Sequence, residues 1–246
     1  MGASGAEARP GVIALWAAPR SRSTAFFASI LQHGRVLALH EPFGNIADYG
    51  ETTVNGDQVR TADELIAVLL ALGRSRTVFF KDTTDQSHPA VLASRPFLAG
   101  VTHTFLIRRP AEIAASYYAM KPDMTIDEIG LVTLHELYQA VSAVSDYPPT
   151  VVESADLVTD PAGTMAAYCG VVGIPFQERV LSWHPGPRAA WSRSAPWHTA
   201  VDRTSTFTKV ESNYPQTVAN NARLAEFSAH HEPYYQELWA RRLVGR

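Results

Sequence analysis

Short apolar runs alternating with helix-like segments constrain this chain most. Residues 12–16 are apolar and then break at Ala17-Ala18-Pro19, as a buried strand entering a loop does. Ser23 or Thr24 is placed to cap a following helix that runs to about residue 31. Runs at 36–39, 77–80, 101–107 and 149–152 read as further strands, and 77–80 is rich in β-branched and aromatic residues. Thr61-Ala62-Asp63-Glu64 has the form of a capping box ahead of a helix at 65–72. Pro110 suits the first turn of a helix over 111–120. Helices are also expected over 125–145, 161–172, 215–229 and 233–243. This alternation implies an α/β fold of three layers, a mainly parallel sheet flanked by helices. Such sheets bind ligands beyond the carboxyl ends of their strands.

With 246 residues, 46% of them hydrophobic, the chain can bury a sizeable core. One domain over 11–246 is expected, after a flexible polar segment at 1–10 that lacks the apolar stretch of a secretory peptide. A net charge of −3 provides no global field to hold nucleic acid or an anionic membrane. No apolar run approaches the length of a membrane span. Any bound anion must be caught by local donors. The single cysteine, Cys169, excludes an internal disulfide and a cysteine-rich zinc site, and it suits the cytoplasm. Without an H-E-x-x-H pattern no metal site is expected, and no G-x-S-x-G elbow marks a serine hydrolase.

Two motifs sit where the strand ends should be. After the first strand comes Pro19-Arg20-Ser21-Arg22-Ser23-Thr24 and then a helix. Strand–loop–helix geometry aims free backbone N–H groups at an anion, and the hydroxyls and arginines add charge-assisted bonds. The ATP-type pattern G-x-x-x-x-G-K-[ST] is absent. The plain alternative is a polar turn with incidental arginines. After the fourth strand comes Arg108-Arg109-Pro110, with Ser116 two helical turns beyond Arg108. That pair could clamp a second anion, or Arg108 could simply pair with a nearby carboxylate.

Together, in this order and context, the two motifs resemble the sulfotransferases that use 3′-phosphoadenosine 5′-phosphosulfate (PAPS). In that family a loop reading roughly P-[KR]-S-x-[ST]-T binds the 5′-phosphosulfate. An arginine ahead of proline, with a helix serine eight residues on, binds the 3′-phosphate. The resemblance implies a P-loop-like sulfotransferase architecture. It gives donor-binding roles to Arg20, Ser21, Arg22, Ser23, Thr24, Arg108 and Ser116. It covers roughly residues 12–120 by motif. The family's Gly-rich basic C-terminal segment is not evident, and 197–209, with Arg203 and Ser205, is assigned in its place or is a surface loop.

Sulfuryl transfer needs positioning, stabilisation of developing negative charge, and a base near the acceptor. Arg20 would neutralise the leaving phosphate. Many family members carry K-x-H after the third strand; the sequence has Lys81-Asp82-Thr83, which keeps the lysine and loses the histidine. Lys81 would bridge donor and sulfuryl group, or pair with Asp82 or Asp85. In several branches of that family a glutamate about this far past the loop is the proposed base, so the resemblance implies Glu41, just after the second strand, with His40 next and Asp82 a lesser candidate. Apolar Phe43 beside Glu41 would raise its pKa; pairing with Arg20 or Arg22 would lower it. The irregular stretch at 184–198 reads as a lid or a packed surface loop, and Trp191 and Trp197 could cover a small acceptor. The expected partners are the PAPS donor and that small acceptor, without nucleic acid, membrane or metal. The oligomeric state is open. Two other readings stand: a P-loop kinase or other nucleotide-dependent phosphotransferase, and a non-catalytic nucleotide-binding protein of the same fold.

Overall fold

The computed structural model describes residues 11–209 and 213–244, so the expected flexible segment at 1–10 lies outside the described residues. The chain forms β1 (Gly11–Ala17), α1 (Ser23–Leu31), β2 (Leu37–His40), α2 (Pro42–Tyr49), β3 (Thr52–Val54), β4 (Asp57–Val59), α3 (Ala62–Leu72), β5 (Thr77–Thr83), α4 (Pro89–Ala93), α5 (Arg95–Gly100), β6 (Thr102–Ile107), α6 (Pro110–Tyr118), α7 (Leu131–Ser142), β7 (Thr150–Glu153), α8 (Asp156–Thr159), α9 (Pro161–Val172), α10 (Thr199–Asp202) and α11 (Ala222–Trp239).

Five strands make one parallel sheet in the order β2-β5-β1-β6-β7. Successive side chains of a strand point to opposite faces, and both faces are covered. Val12, Ala14 and Trp16 of β1 pack with Phe80, Phe105 and Val151 against residues of α3, α7 and α11. Ile13, Leu15 and Ala17 pack with Phe79, Leu106 and Val152 against Phe26, Phe27 and Ile30 of α1 and Met165 and Tyr168 of α9. These are the three expected layers. Burying an aromatic side chain such as Phe79 or Phe80, each 0% exposed, stabilises the fold by roughly 1.5–3 kcal/mol. Trp16 is also buried and gives its indole N–H to His103 Nδ1 at 2.9 Å.

Topology fixes where a ligand can sit. The chain leaves β1 toward β2 and β5 on one side, then crosses to β6 and β7 on the other. The carboxyl end of β1 therefore opens a crevice between the ends of β5 and β6.

The short helices α2, α4, α5, α8 and α10 were not expected, and other features depart from the sequence expectations. The hairpin β3–β4 turns at Asn55-Gly56, a strong hairpin signal between strands of only three residues each, too short to form an apolar run. The helix expected over 125–145 is interrupted. A short 3-10 turn, Asp127–Ile129, ends at Gly130 with φ of 76°, and α7 starts after it. A Cβ at Gly130 would lie 2.7 Å from Pro19 Cδ and 2.9 Å from the Thr84 carbonyl oxygen, so only glycine admits this approach to the first loop. The helix expected at 215–229 starts only at Ala222, where Asn221 caps it by accepting from the Arg223 and Leu224 amides. It then runs through Pro233 rather than restarting there. Phe227, His231, Tyr235 and Leu238 recur on its buried face, and that packing offsets the lost backbone bond. The capping box at 61–64 is half formed: Thr61 Oγ1 accepts from the Glu64 amide, while Glu64 accepts from the Arg60 amide instead of the cap residue's.

Candidate active site

The loop from Pro19 to Arg22 folds in an unusual backbone. Arg20 has φ of 59° and Arg22 of 67°, a region few non-glycine residues adopt. Arg22 is the N-cap of α1 and makes no side-chain cap, so the expected capping by Ser23 or Thr24 does not occur. The first-turn amides and the positive end of the helix dipole are thus left for another acceptor, and Ser23, Thr24 and Ala25 line a cavity at this place. Ser21, expected to bind the same group by its side chain, is absent from the wall; its hydroxyl is buried without a hydrogen-bond partner. Only its backbone N–H is left for that role.

The two motifs meet. Arg108, leaving β6, donates from Nη1 to the Arg20 carbonyl at 2.5 Å and from Nε to Glu112 at 2.8 Å. Arg20 Nε donates to Ser116 Oγ at 3.1 Å and Nη1 to the Trp197 carbonyl at 2.7 Å. Tyr214 donates its hydroxyl to Ser116 at 2.9 Å. Arg22 reaches across to Ser154 Oγ, beyond the end of β7, at 3.1 Å. Burial lowers the pKa of both Arg20 and Arg22, and Arg108 lowers each further. Cations held this close and this dry attract an anion strongly.

Opposite them stands Glu41, the N-cap of α2, with φ of 47°. Its carboxylate accepts from the Lys81 ammonium, at the end of β5, and lies 3.7 Å from His40 Nδ1. The expected Lys81 partners Asp82 and Asp85, and the expected Glu41 partners Arg20 and Arg22, are therefore replaced by one Lys81–Glu41 pair. Asp82 is fully buried and off the wall, where it accepts from the Phe43 and Gly44 amides at 2.7 and 3.1 Å and so holds α2 in place. Burial and neighbouring Glu41 push its pKa up to about 8. His40 also leaves the cavity wall. It sits behind Glu41 against Phe27 and Trp191, and burial with Lys81 nearby lowers its pKa well below the usual histidine value. Both withdraw as bases toward a substrate in the cavity.

The stretch at 184–198 closes over the site as 3-10 turns at Ala189–His198. Trp197 packs at a tilt against Tyr117, with ring centroids 5.0 Å apart, and lies under the Arg20 guanidinium. Trp191, expected to cover an acceptor, is instead core, 2% exposed. Arg203 and Ser205, expected near the nucleotide, are exposed and off the wall, while Thr204, Thr206 and Thr208 line it. Asp85, Ser194, His198 and Tyr214 were not expected as site residues and are on the wall. His198 binds Thr24 and Ser194, 2.9 Å each, and burial pushes its imidazole pKa down to about 3. The only available signal was an irregular stretch carrying serine and histidine four apart.

One grouping bears on metals. His40, Glu41 and His198 each bring a ligand atom within 4.8 Å of the others. Lys81 already holds Glu41, both His198 nitrogens are bonded, and an ammonium beside the cluster repels a cation.

Among the described residues no helix is long and apolar enough to cross a membrane. In fold the chain is similar to the sulfotransferase domain from the curacin biosynthetic pathway. That match has a TM-score of 0.53 at 13% identity, over 92% of this chain and 99% of that one. Two Arabidopsis thaliana proteins, branched-chain-amino-acid aminotransferase-like proteins 2 and 1, are 29% and 28% identical over 221 residues. The matches cover 84% and 85% of this chain but only 38% and 39% of those longer proteins. The sequence profile described as the sulfotransferase domain matches residues 11–242, nearly the whole described chain, and so the chain belongs to the sulfotransferase domain family.

Proposed function

We propose that this protein transfers a sulfuryl group from PAPS to a hydroxyl or amine of a small acceptor, without a metal. One observation carries the reading: Arg20, Arg22, Thr24, Arg108 and Ser116 line one cavity with the Lys81–Glu41 pair. The desolvated Arg20 and Arg22, with Arg108 bonded to the Arg20 carbonyl and an uncapped helix start beside them, fit a ligand with two separate anionic groups. In this reading the α1 amides, Arg20, Arg22 and Thr24 hold the 5′-phosphosulfate, and Arg108 with Ser116 holds the 3′-phosphate. Thr204, Thr206 and Thr208 supply hydroxyls along the same wall.

PAPS supplies an activated sulfuryl group: the acceptor oxygen forms the new bond to sulfur while the bond from sulfur to the 5′-phosphate oxygen breaks. Glu41 takes the acceptor proton, and Lys81 stays charged beside it to meet the negative charge that collects on the leaving phosphate. Arg20, fixed by Ser116 and the Trp197 carbonyl, needs little reorganisation to do the same. Ser194, Trp197 and His198 of the turns at Ala189–His198 wall one side of the cavity. Buried free Cys169 supports a reducing compartment.

Calorimetry of adenosine 3′,5′-bisphosphate against ADP and ATP with Mg²⁺ tests the donor. Preference for the 3′-phosphorylated nucleotide is expected. Preference for ATP returns the kinase reading, and binding of none favours the non-catalytic one.

A further inference from the structure

We infer that Ser194 and His198 form a hydrogen-bonded chain that fixes Thr24 as a donor to the bound nucleotide, making His198 a positioning residue that acts through Thr24. This rests on the donor reading above. His198 stands 174 residues from Thr24 in sequence, yet its Nδ1 is 2.9 Å from Thr24 Oγ1 and its Nε2 is 2.9 Å from Ser194 Oγ. Both ring nitrogens are therefore engaged by hydroxyls, and the direction of each bond is set by where the ring carries its hydrogen.

The ring is neutral. It is buried, and it faces Lys81, His40 and Arg20 with Glu41 as the one opposing charge, a setting that disfavours imidazolium. One nitrogen carries hydrogen and the other a lone pair. A threonine hydroxyl has a single hydrogen to give. If Nδ1 is bare, Thr24 spends that hydrogen on His198 and turns lone pairs toward the anion, which repels it. If Nδ1 carries the hydrogen, Thr24 accepts from it and donates its own hydrogen into the cavity. Nε2 is then bare and accepts from Ser194. The chain Ser194 to His198 to Thr24 to anion runs in one direction, and each bond polarises the next. An anion at the loop thus selects the Nδ1–H form of His198, with no net uptake or release of a proton.

The test combines ¹⁵N NMR of the histidine ring with calorimetry, using adenosine 3′,5′-bisphosphate as the probe. In the bound wild-type protein, His198 Nδ1 is expected in the protonated range and Nε2 in the unprotonated range. Bisphosphate that binds while Nδ1 is bare, or while both nitrogens are protonated, overturns the inference alone. Bisphosphate that does not bind wild type overturns the donor reading, and this inference with it. His198→Ala is expected to weaken binding about tenfold. His198→Asn, whose amide N–H replaces that of Nδ1, is expected to recover most of the loss. Thr24→Ala joined to His198→Ala should bind no more weakly than Thr24→Ala alone, because His198 acts through that hydroxyl. Additive losses, or equal losses for Ala and Asn at 198, overturn it. Ser194→Ala, at a half-buried surface turn, lowers affinity less and guards against a His198 variant that fails to fold.

Discussion

Separating charge from hydrogen bonding at Lys81 and Glu41 tests the costliest element of the site. The Lys81 side chain is 1% exposed and that of Glu41 17%, so the ammonium has no water to replace its partner. Glu41→Ala leaves that ammonium buried and unpaired, which costs about 3–5 kcal/mol of stability. Glu41→Gln keeps an oxygen that accepts from Lys81 Nζ and loses only the charge, so the expected cost is ~2 kcal/mol. Lys81→Met costs less than Glu41→Ala, because the Glu41 side chain is 17% exposed and keeps contact with water while the Lys81 side chain, at 1%, does not. The double variant Lys81→Met/Glu41→Gln removes both charges and should be at least about 1 kcal/mol more stable than the sum of the single losses predicts. Urea denaturation with unchanged m-values gives the four free energies. Turnover with PAPS and acceptor follows another pattern. Every variant without the carboxylate loses on the order of 10²-fold or more, the double variant included. A Glu41→Ala protein as stable as wild type would refute the buried-pair reasoning. Turnover that returns with stability in the double variant would make Glu41 a structural partner only.

Arg108→Ala should weaken bisphosphate binding by about 2–4 kcal/mol in calorimetry, the scale for losing a charged partner of a buried anion; equal binding removes Arg108 from the site. Gly130→Ala meets the Pro19 ring and the Thr84 carbonyl at a φ of 76°. Backbone strain plus overpacking should cost about 2–4 kcal/mol, with donor affinity falling because Pro19 opens the loop; an unchanged thermal midpoint counts against this. Thermal stability should peak near pH 6.5. Below it, the unfolded chain takes up protons that His33, His40, His88, His103, His198 and His231 refuse when folded, and these outnumber the raised carboxyls Asp82, Asp85 and Glu153. Above it, the unfolded chain has already ionised Asp82 and Glu153, which the folded protein holds protonated up to about 8 and 7, so stability falls again. A midpoint that climbs steadily toward pH 5 would contradict the sign.

What the sequence disclosed follows how local each feature is. The strands of the sheet are legible because burial on both faces makes continuous apolar runs, and Arg20 and Arg108 because each ends such a run. The breaks were harder. Gly130 reads as a tolerable residue in a helix until Pro19 and Thr84, from two other elements, are seen against it. Pro233 reads as a start until the buried face of α11 is traced through it. Asp82 and His40 carry the right chemistry in the right motif, yet an alternation of faces and one turn of α2 send them behind the wall. His198 lay beyond local reasoning altogether, since its partners are 174 and 4 residues away.

The backbone explains why this site uses arginine where a permissive residue would fold more readily. Arg20, Arg22 and Glu41 are three of the four non-glycine residues with positive φ among those described, and all three line the cavity. Each such conformation costs of order 1 kcal/mol or more, and glycine would remove that cost. Glycine would also remove what each side chain does. Arg20 ties Ser116 and Trp197, Arg22 ties Ser154, and Glu41 neutralises Lys81. The positive-φ backbone sets Arg20 and Arg22 on the wall of one cavity. The cross-links to α6, to Ser154 just beyond β7 and to the 3-10 turns hold them there before any ligand arrives. Reorganisation is thereby moved from binding into folding, which is where electrostatic catalysis needs it.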